Sequence, residues 1–312
     1  MHFIGDRYSI LNKSNNIEFN KLYKAEDLHE DKIVLLKVIK HNNNIGEEFV
    51  RNLIDECITI RNINSPYISD MIEVGVDYID GEKIYYMVYG YDSGVTLSNI
   101  MKNKHLKSKI LVKIGIQILK GLEDAKEHGI YHGDLNPENI LVDDLYNIKI
   151  LSFGKVKAND GVNTRSSNSL TYLSPYQLCI NHTDIESDLF ALGIILFECV
   201  FKRLPFGESN DEEQMLAFID KGVDFKELEG ICESKELVNI IKKLLSRKDK
   251  YSTFRDVIVD LSSIMYEEAD LKQPVLIETD LKENKKTKVK ATKFFMSSII
   301  MIIIVFILTT FI

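Results

Sequence analysis

Residues 131–142 read Tyr131-His132-Gly133-Asp134-Leu135-Asn136-Pro137-Glu138-Asn139-Ile140-Leu141-Val142, a short polar loop that gives way to an apolar run. Upstream, Ile110, Leu111, Ile114, Ile118, Leu122 and Ala125 recur at helical spacing over 108–128, and Gly129 suits a C′ stop. The loop therefore follows a helix. Further upstream, residues 7–90 hold short apolar runs rich in Val, Ile and Tyr, such as Ile33-Val34-Leu35-Leu36 and Ile84-Tyr85-Tyr86-Met87-Val88. One helical stretch, near 47–61, interrupts them. Downstream the pattern is mostly helical, and the segment 187–201 is apolar on most sides, as a buried helix is. A strand-rich first third followed by helices predicts an α+β protein of two lobes, about 8–90 and 91–265, with no internal repeat.

The chain has 312 residues, with 39 Lys+Arg against 47 Asp+Glu for a formal net charge of −8, and is 45% apolar and 28% charged. Such fractions exclude a disordered or collagen-like chain, and the length suffices for a full core. The acidic balance argues against a nucleic-acid partner, whose footprint would be basic. Cys57, Cys179, Cys199 and Cys232 form no CxxC pair, so neither a zinc ribbon nor a redox motif is supported. They are expected to be reduced and buried as small apolar residues. Met1–Arg7 contains no apolar h-region, so no signal peptide is expected.

The 131–142 stretch resembles the catalytic loop HRDLKPEN of the Hanks-type serine/threonine protein kinases, reading here His132-Gly133-Asp134-Leu135-Asn136-Pro137-Glu138-Asn139. An Asp five residues before an Asn suits a base and a metal ligand placed at one phosphate. Other motifs follow in the family's order over residues 8–265. Lys37, in Val34-Leu35-Leu36-Lys37, resembles the strand lysine that holds nucleotide phosphates, and Glu56 on the next helix resembles its ion-pair partner. Val88-Tyr89-Gly90-Tyr91 resembles the hinge, with Tyr89 at the gatekeeper position; Phe19 fits the glycine-rich loop. Tyr172-Leu173-Ser174-Pro175 resembles the close of the activation loop, and Asp188-Leu189-Phe190-Ala191-Leu192-Gly193 the buried helix of the large lobe. Taken singly, Lys37 reads as a surface strand lysine, Glu56 as a helix-surface acid and Asp188 as a helix cap. The resemblance implies a bilobal kinase-like fold, Asp134 and Asn136 as catalytic positions, and Asn139 and Ser152 as metal positions. Lys37, Glu56, Tyr89, Tyr91 and Phe19 would face the ATP.

Several positions depart from that pattern. Asn15, Ile17 and Asn20 stand where the loop glycines belong; Asn tolerates a left-handed backbone, whereas β-branched Ile does so poorly. The metal-binding Asp-Phe-Gly triplet reads Ser152-Phe153-Gly154, and a serine hydroxyl is a weaker ligand than a carboxylate. Magnesium is therefore expected to be weakly held or absent, at a cost on the order of 10²–10³ in rate. Asn136 replaces a phosphate-steadying lysine. Gly133 replaces the arginine that would pair with phosphorylated Thr164, Ser166, Ser167, Ser169 or Thr171. Tyr176 replaces an acid whose arginine partner is also absent, Lys250-Tyr251-Ser252 occupying that region.

From Phe294 to Ile312 run 19 residues without a charge, a Gly or a Pro. As a helix they measure roughly 28 Å, the thickness of a bilayer core. Lys282, Lys285, Lys286, Lys288, Lys290 and Lys293 precede them against the single acid Glu283. That pattern predicts a transmembrane helix at 294–312, a polar tether at 266–293 and a cytoplasmic body, in a topology compatible with a bacterial cell membrane. The net charge is thus an average over an acidic body and a basic tether.

Three readings follow. The favoured one is a pseudokinase that signals by binding nucleotide, a protein partner, or both. The second is an active, atypical serine/threonine kinase that retains Asp134, Asn139, Lys37 and Glu56. A small-molecule phosphotransferase ranks last: HGDL also resembles the loop of aminoglycoside kinases, but that family lacks the 172–175 segment and the 188–193 helix in this arrangement.

Overall fold

In a computed structural model, residues 3–11, 17–41, 46–162 and 170–270 are described. Six strands form one antiparallel sheet in the order β1-β2-β3-β4-β6-β5. They are β1 Phe3–Ile4, β2 Tyr8–Ile10, β3 Leu22–Asp27, β4 Lys32–Lys40, β5 Met71–Ile79 and β6 Glu82–Gly90. Asp80 and Gly81, at φ +51° and +82°, make the two-residue β5–β6 turn, where both central positions need a left-handed backbone. The sheet begins at Phe3.

Period-two alternation distributes the central strands between two cores. Val34, Leu36, Val38, Ile84, Tyr86 and Val88 pack into the smaller one with Ile4, Tyr8 and Tyr23. Leu35, Ile39, Tyr85, Met87 and Tyr89 face the opposite way, onto helix α1 (Glu47–Arg61) and into the larger core. Lys37 falls on this second face by parity, which is why a lysine is buried to 4% exposure. The other face is tied by polar groups. Arg7 donates twice to Asp27 at 2.7 Å and once to Glu73 at 3.0 Å, and Tyr8 and Tyr86 donate their hydroxyls to Glu73 at 2.7 and 3.1 Å.

The helical lobe follows: β7 Val95–Thr96, α2 Leu97–Asn103, α3 Ser108–Glu127, β8 Ile140–Val142, β9 Ile148–Ile150, α4 Pro175–Ile180, α5 Ile185–Phe201, α6 Glu212–Lys221, α7 Lys235–Leu244 and α8 Phe254–Asp270. Helix α5 opens with a capping box between Asp184 and Ser187 and is buried along almost its whole length, consistent with its uniformly apolar sequence. Helix α8 continues to Asp270.

All four cysteines are free, but only Cys57 and Cys199 are fully buried. Cys179 is exposed, correcting the expectation of four buried thiols, because it sits on the open side of the short helix α4. Among the described residues no helix is long and apolar enough to cross a membrane. The span expected at 294–312, the tether from 271 onward, Asn15, and Thr164, Ser166, Ser167 and Ser169 all lie outside the described residues.

Candidate functional site

The hairpin β8–β9 builds the centre of the site. Ile140 pairs with Ile150, so the residue before β8 and the residues after β9 emerge side by side. Asn139 and Ser152 are those neighbours: Leu151 N–H donates to the Asn139 carbonyl at 2.9 Å, and Ser152 Oγ donates to Asn139 Oδ1 at 3.1 Å. Ser152 has φ +69°, a left-handed conformation that a non-glycine residue holds only when its surroundings impose it. Here the Tyr89 hydroxyl imposes it, accepting from the Ser152 N–H at 3.1 Å. Tyr89 thus links the strand sheet to the Ser152 turn rather than lying open at a nucleotide face. Burial pushes its phenol up, so the hydroxyl stays protonated.

The loop before β8 is held from below. Asp188 of α5 accepts the backbone N–H groups of His132 and Gly133, each at 2.8 Å. His132 Nδ1 accepts from the Asp134 N–H at 3.2 Å, so the ring proton lies on Nε2, which donates to the Leu151 carbonyl at 2.8 Å. Burial lowers this imidazole to about 4 and keeps it neutral. Its ring meets Phe153 edge-on, with centroids 4.8 Å apart. Gly133 has φ +71°, and a Cβ there would stand 2.4 Å from Val156 Cγ2 and 2.8 Å from Thr183 Oγ1. An arginine therefore has no room, because the following segment packs directly on this glycine. Thr171, the one candidate phosphorylation position among the described residues, is 3% exposed.

The charges at the centre are arranged unexpectedly. Lys37 Nζ donates to Asn139 Oδ1 and, at 3.1 Å, to Ser152 Oγ. Burial lowers its ammonium to about 7, and neighbouring Lys155 adds to that. Lys155, with a side chain 2% exposed, is ion-paired with Asp134 Oδ2. Burial raises the Asp134 carboxyl, but Lys155 and Lys37 outweigh it and hold the group below the usual carboxylate range. Asn136 serves the turn: it donates to the Asp134 carbonyl at 2.9 Å and caps the Glu138 N–H at 3.0 Å. A cavity of about 190 Å³ opens above these groups, lined by Asn20, Lys37, Asp134, Asn136, Glu138 and Tyr172 among others. Asn20 adopts φ +62°, the left-handed backbone that its glycine-loop position needs.

Three expected site residues are placed elsewhere. Glu56 is not paired with Lys37; its carboxylate lies 3.1 Å from Lys157 Nζ, an ion pair whose angle falls short of a hydrogen bond. The cause is the turn Lys157–Asn159, which packs on α1 and whose Ala158 carbonyl accepts from Asn52 at 3.1 Å. Gly154 allows that approach, since a Cβ there would meet Ile60 Cδ1 at 2.7 Å. Phe19 packs against the smaller core, its ring 5.4 Å from Lys40 Nζ. Tyr91 is 49% exposed, with Lys24 Nζ 4.7 Å from its ring centre. Tyr176 is exposed as well, and Lys250 pairs with Glu186. Lys155 was missed in the sequence.

The donor set does not fit a magnesium ion. Asn139 Oδ1 accepts from both Lys37 and Ser152, and the Asp134 carboxylate is engaged by Lys155 and Asn136. Among the described residues no group of three or more His, Cys, Asp or Glu side chains could hold a metal ion.

Comparison with known proteins matches the protein kinase domain family over residues 18–258. A probable serine/threonine-protein kinase of Clostridium perfringens is 32% identical over 270 residues, covering 84% of this chain and 38% of the relative. The serine/threonine-protein kinase PrkC of Bacillus subtilis is 34% identical over 66% of this chain and 32% of its own length. The mouse interferon-induced, double-stranded RNA-activated protein kinase is 32% identical over 74% of this chain and 46% of its own length. The chain thus spans 32–46% of the length of these relatives.

Proposed function

This chain belongs to the protein kinase family, and from that premise we propose that it is a membrane-anchored serine/threonine kinase-like protein with impaired catalysis. It acts in signalling by binding ATP, a protein partner, or both. The observation that carries this reading is the Asp134–Lys155 ion pair. A general base must accept a proton from the incoming hydroxyl, and a carboxylate stabilised by a buried ammonium is a poor acceptor. Ser152 in place of an acid and Glu56 turned to Lys157 support the same conclusion.

The test is phosphoryl transfer from labelled ATP, with Mg²⁺ or Mn²⁺, to the protein itself and to a generic protein substrate. Wild type and Asp134→Asn are expected to give equal, background labelling. Label in wild type that disappears in Asp134→Asn would establish the alternative, an active atypical kinase. The convergence of Lys37, Asp134 and Asn139 in one cleft favours that second reading.

The anchor rests on residues 294–312 and the six lysines before them. The kinase-like domain then lies on the cytoplasmic face of a bacterial cell membrane, a reading that the bacterial relatives support. Truncation after Asp280 is expected to move the protein from the membrane fraction to the soluble fraction. Retention in the membrane would overturn the anchor.

A further inference from the structure

A second cavity, of about 290 Å³, lies in the helical lobe between α4, the first turns of α5 and the segment that follows α7. It falls at a departure already seen in the sequence, where Tyr176 replaces an acid and Lys250-Tyr251-Ser252 occupies the region of its arginine partner. Tyr176 and Lys250 both line the cavity, and neither fills it: Tyr176 is 42% exposed, and Lys250 pairs with Glu186. Leu189, Phe190, Leu244 and Tyr251 form a floor of otherwise buried side chains. An apolar floor wetted by solvent favours any apolar group that displaces the water. Tyr176, Phe190 and Tyr251 bring three aromatic rings to the lining, which suits a flat ring as guest. The charged lining is Arg247, Lys250 and Glu186, and Asp220 answers Arg247 from outside it. Both ion pairs join half-exposed side chains, and such pairs are worth only about 0–1 kcal/mol. A carboxylate carried in by a ring already on the floor can therefore displace Glu186 or Asp220, and the displaced acid returns to water. A guanidinium then receives the carboxylate through two parallel hydrogen bonds.

We propose that this cavity is a ligand site for a small aromatic carboxylate, its ring on the apolar floor and its carboxylate at Arg247 and Lys250. The volume stands at the small end of ligand sites, which run from about 300 to 1,000 Å³, and limits the guest to a compact ring system. A positively charged guest would meet two lining cations against one acid. The cavity shares no lining residue with the cleft around Lys37 and Asp134, so the proposal goes beyond the nucleotide reading and does not rest on it. It does share a helix with the catalytic loop. Helix α4 gives Pro175, Tyr176 and Cys179 to the cavity, and Gln177 of the same helix donates to the Gly133 carbonyl at 2.8 Å.

Cys179 lines the cavity and is exposed, so its thiol reports occupancy. The full chain in detergent micelles is alkylated with iodoacetamide, and the rate at each cysteine is read by mass spectrometry. The probes are 2-naphthoate and its neutral isostere 2-naphthamide. At a saturating concentration, 2-naphthoate is expected to slow alkylation of Cys179 about fivefold or more, and to leave Cys232, which lies outside the cavity, unchanged. The amide should protect Cys179 less at the same concentration. Arg247→Gln/Lys250→Gln, which changes only half-exposed side chains, should bring the two probes to the same weak protection. No slowing at Cys179, or equal slowing at Cys179 and Cys232, would overturn the site. Equal protection of the wild type by both probes would overturn the carboxylate assignment and the proposal with it. So would 2-naphthoate protection that persists in full in the double variant.

Discussion

Asp188→Ala is expected to lower the melting temperature by about 8–16 °C, corresponding to a loss of about 4 kcal/mol in a domain of this size. Asp188 is 1% exposed and its two oxygens each accept one backbone N–H, from His132 and Gly133. Alanine would leave both donors buried without partners, at about 1–3 kcal/mol each. The residues that follow it on α5, Leu189 to Leu192, are apolar and buried and offer the loop no acceptor. Asp188→Asn should fall between wild type and Ala, since the amide keeps one acceptor and turns a donor towards the other N–H. A shift in Asp188→Ala below about 2 °C would show that the loop is held by other contacts. The effect matters for function because the same two amides set the direction of Asp134, two residues on.

Arg7→Met is expected to cost about 3–5 kcal/mol, the usual consequence of stranding one member of a buried ion pair. Asp27 is fully buried and takes both of its short hydrogen bonds from the Arg7 guanidinium. Arg7 also engages Glu73, to which Tyr8 and Tyr86 donate, so a single side chain joins strands β2, β3, β5 and β6. The Arg7 hydrogen bond, outweighing burial, holds the Asp27 carboxyl below its ordinary range. A group whose folded pKa is depressed contributes stability above its unfolded pKa and loses it as the pH falls through the folded value. The difference in melting temperature between wild type and Arg7→Met should therefore be full at pH 7 and shrink on acidification below about pH 4. Arg7→Met/Asp27→Leu should recover much of the loss, because it removes the stranded charge. A gap that stays constant down to pH 3 would contradict the assignment.

The parts of the fold that were legible in the sequence are those set by periodicity and local turn chemistry. The helix expected over 108–128 runs Ser108–Glu127, and that near 47–61 runs Glu47–Arg61. The catalytic loop was legible for a different reason: six matches in eight consecutive positions narrow the geometry more than any single residue does. Lys37, Asp134, Asn136, Asn139 and Ser152 are accordingly found together. Glu56 shows the limit. Its place on α1 is periodic, but whether its carboxylate meets Lys37 or Lys157 depends on which segment packs against the helix, and that contact lies about 100 residues away in sequence. Lys155 carried a signal that went unread. Leu151 to Val156 is buried throughout, and within these six residues an expected acid is missing while a lysine is present. Charge compensation inside one turn is visible in sequence only when both changes are considered together.

The claim that this cleft is kinase-shaped but lacks a working metal site meets its most direct test in a crystal of the protein grown with MnATP. The expected result is triphosphate density beside Lys37 and no manganese peak in the anomalous difference map within coordination range of Asn139 Oδ1 and Ser152 Oγ. A strong manganese peak bridging those two oxygens to the phosphates, with Lys155 turned away from Asp134, would contradict it.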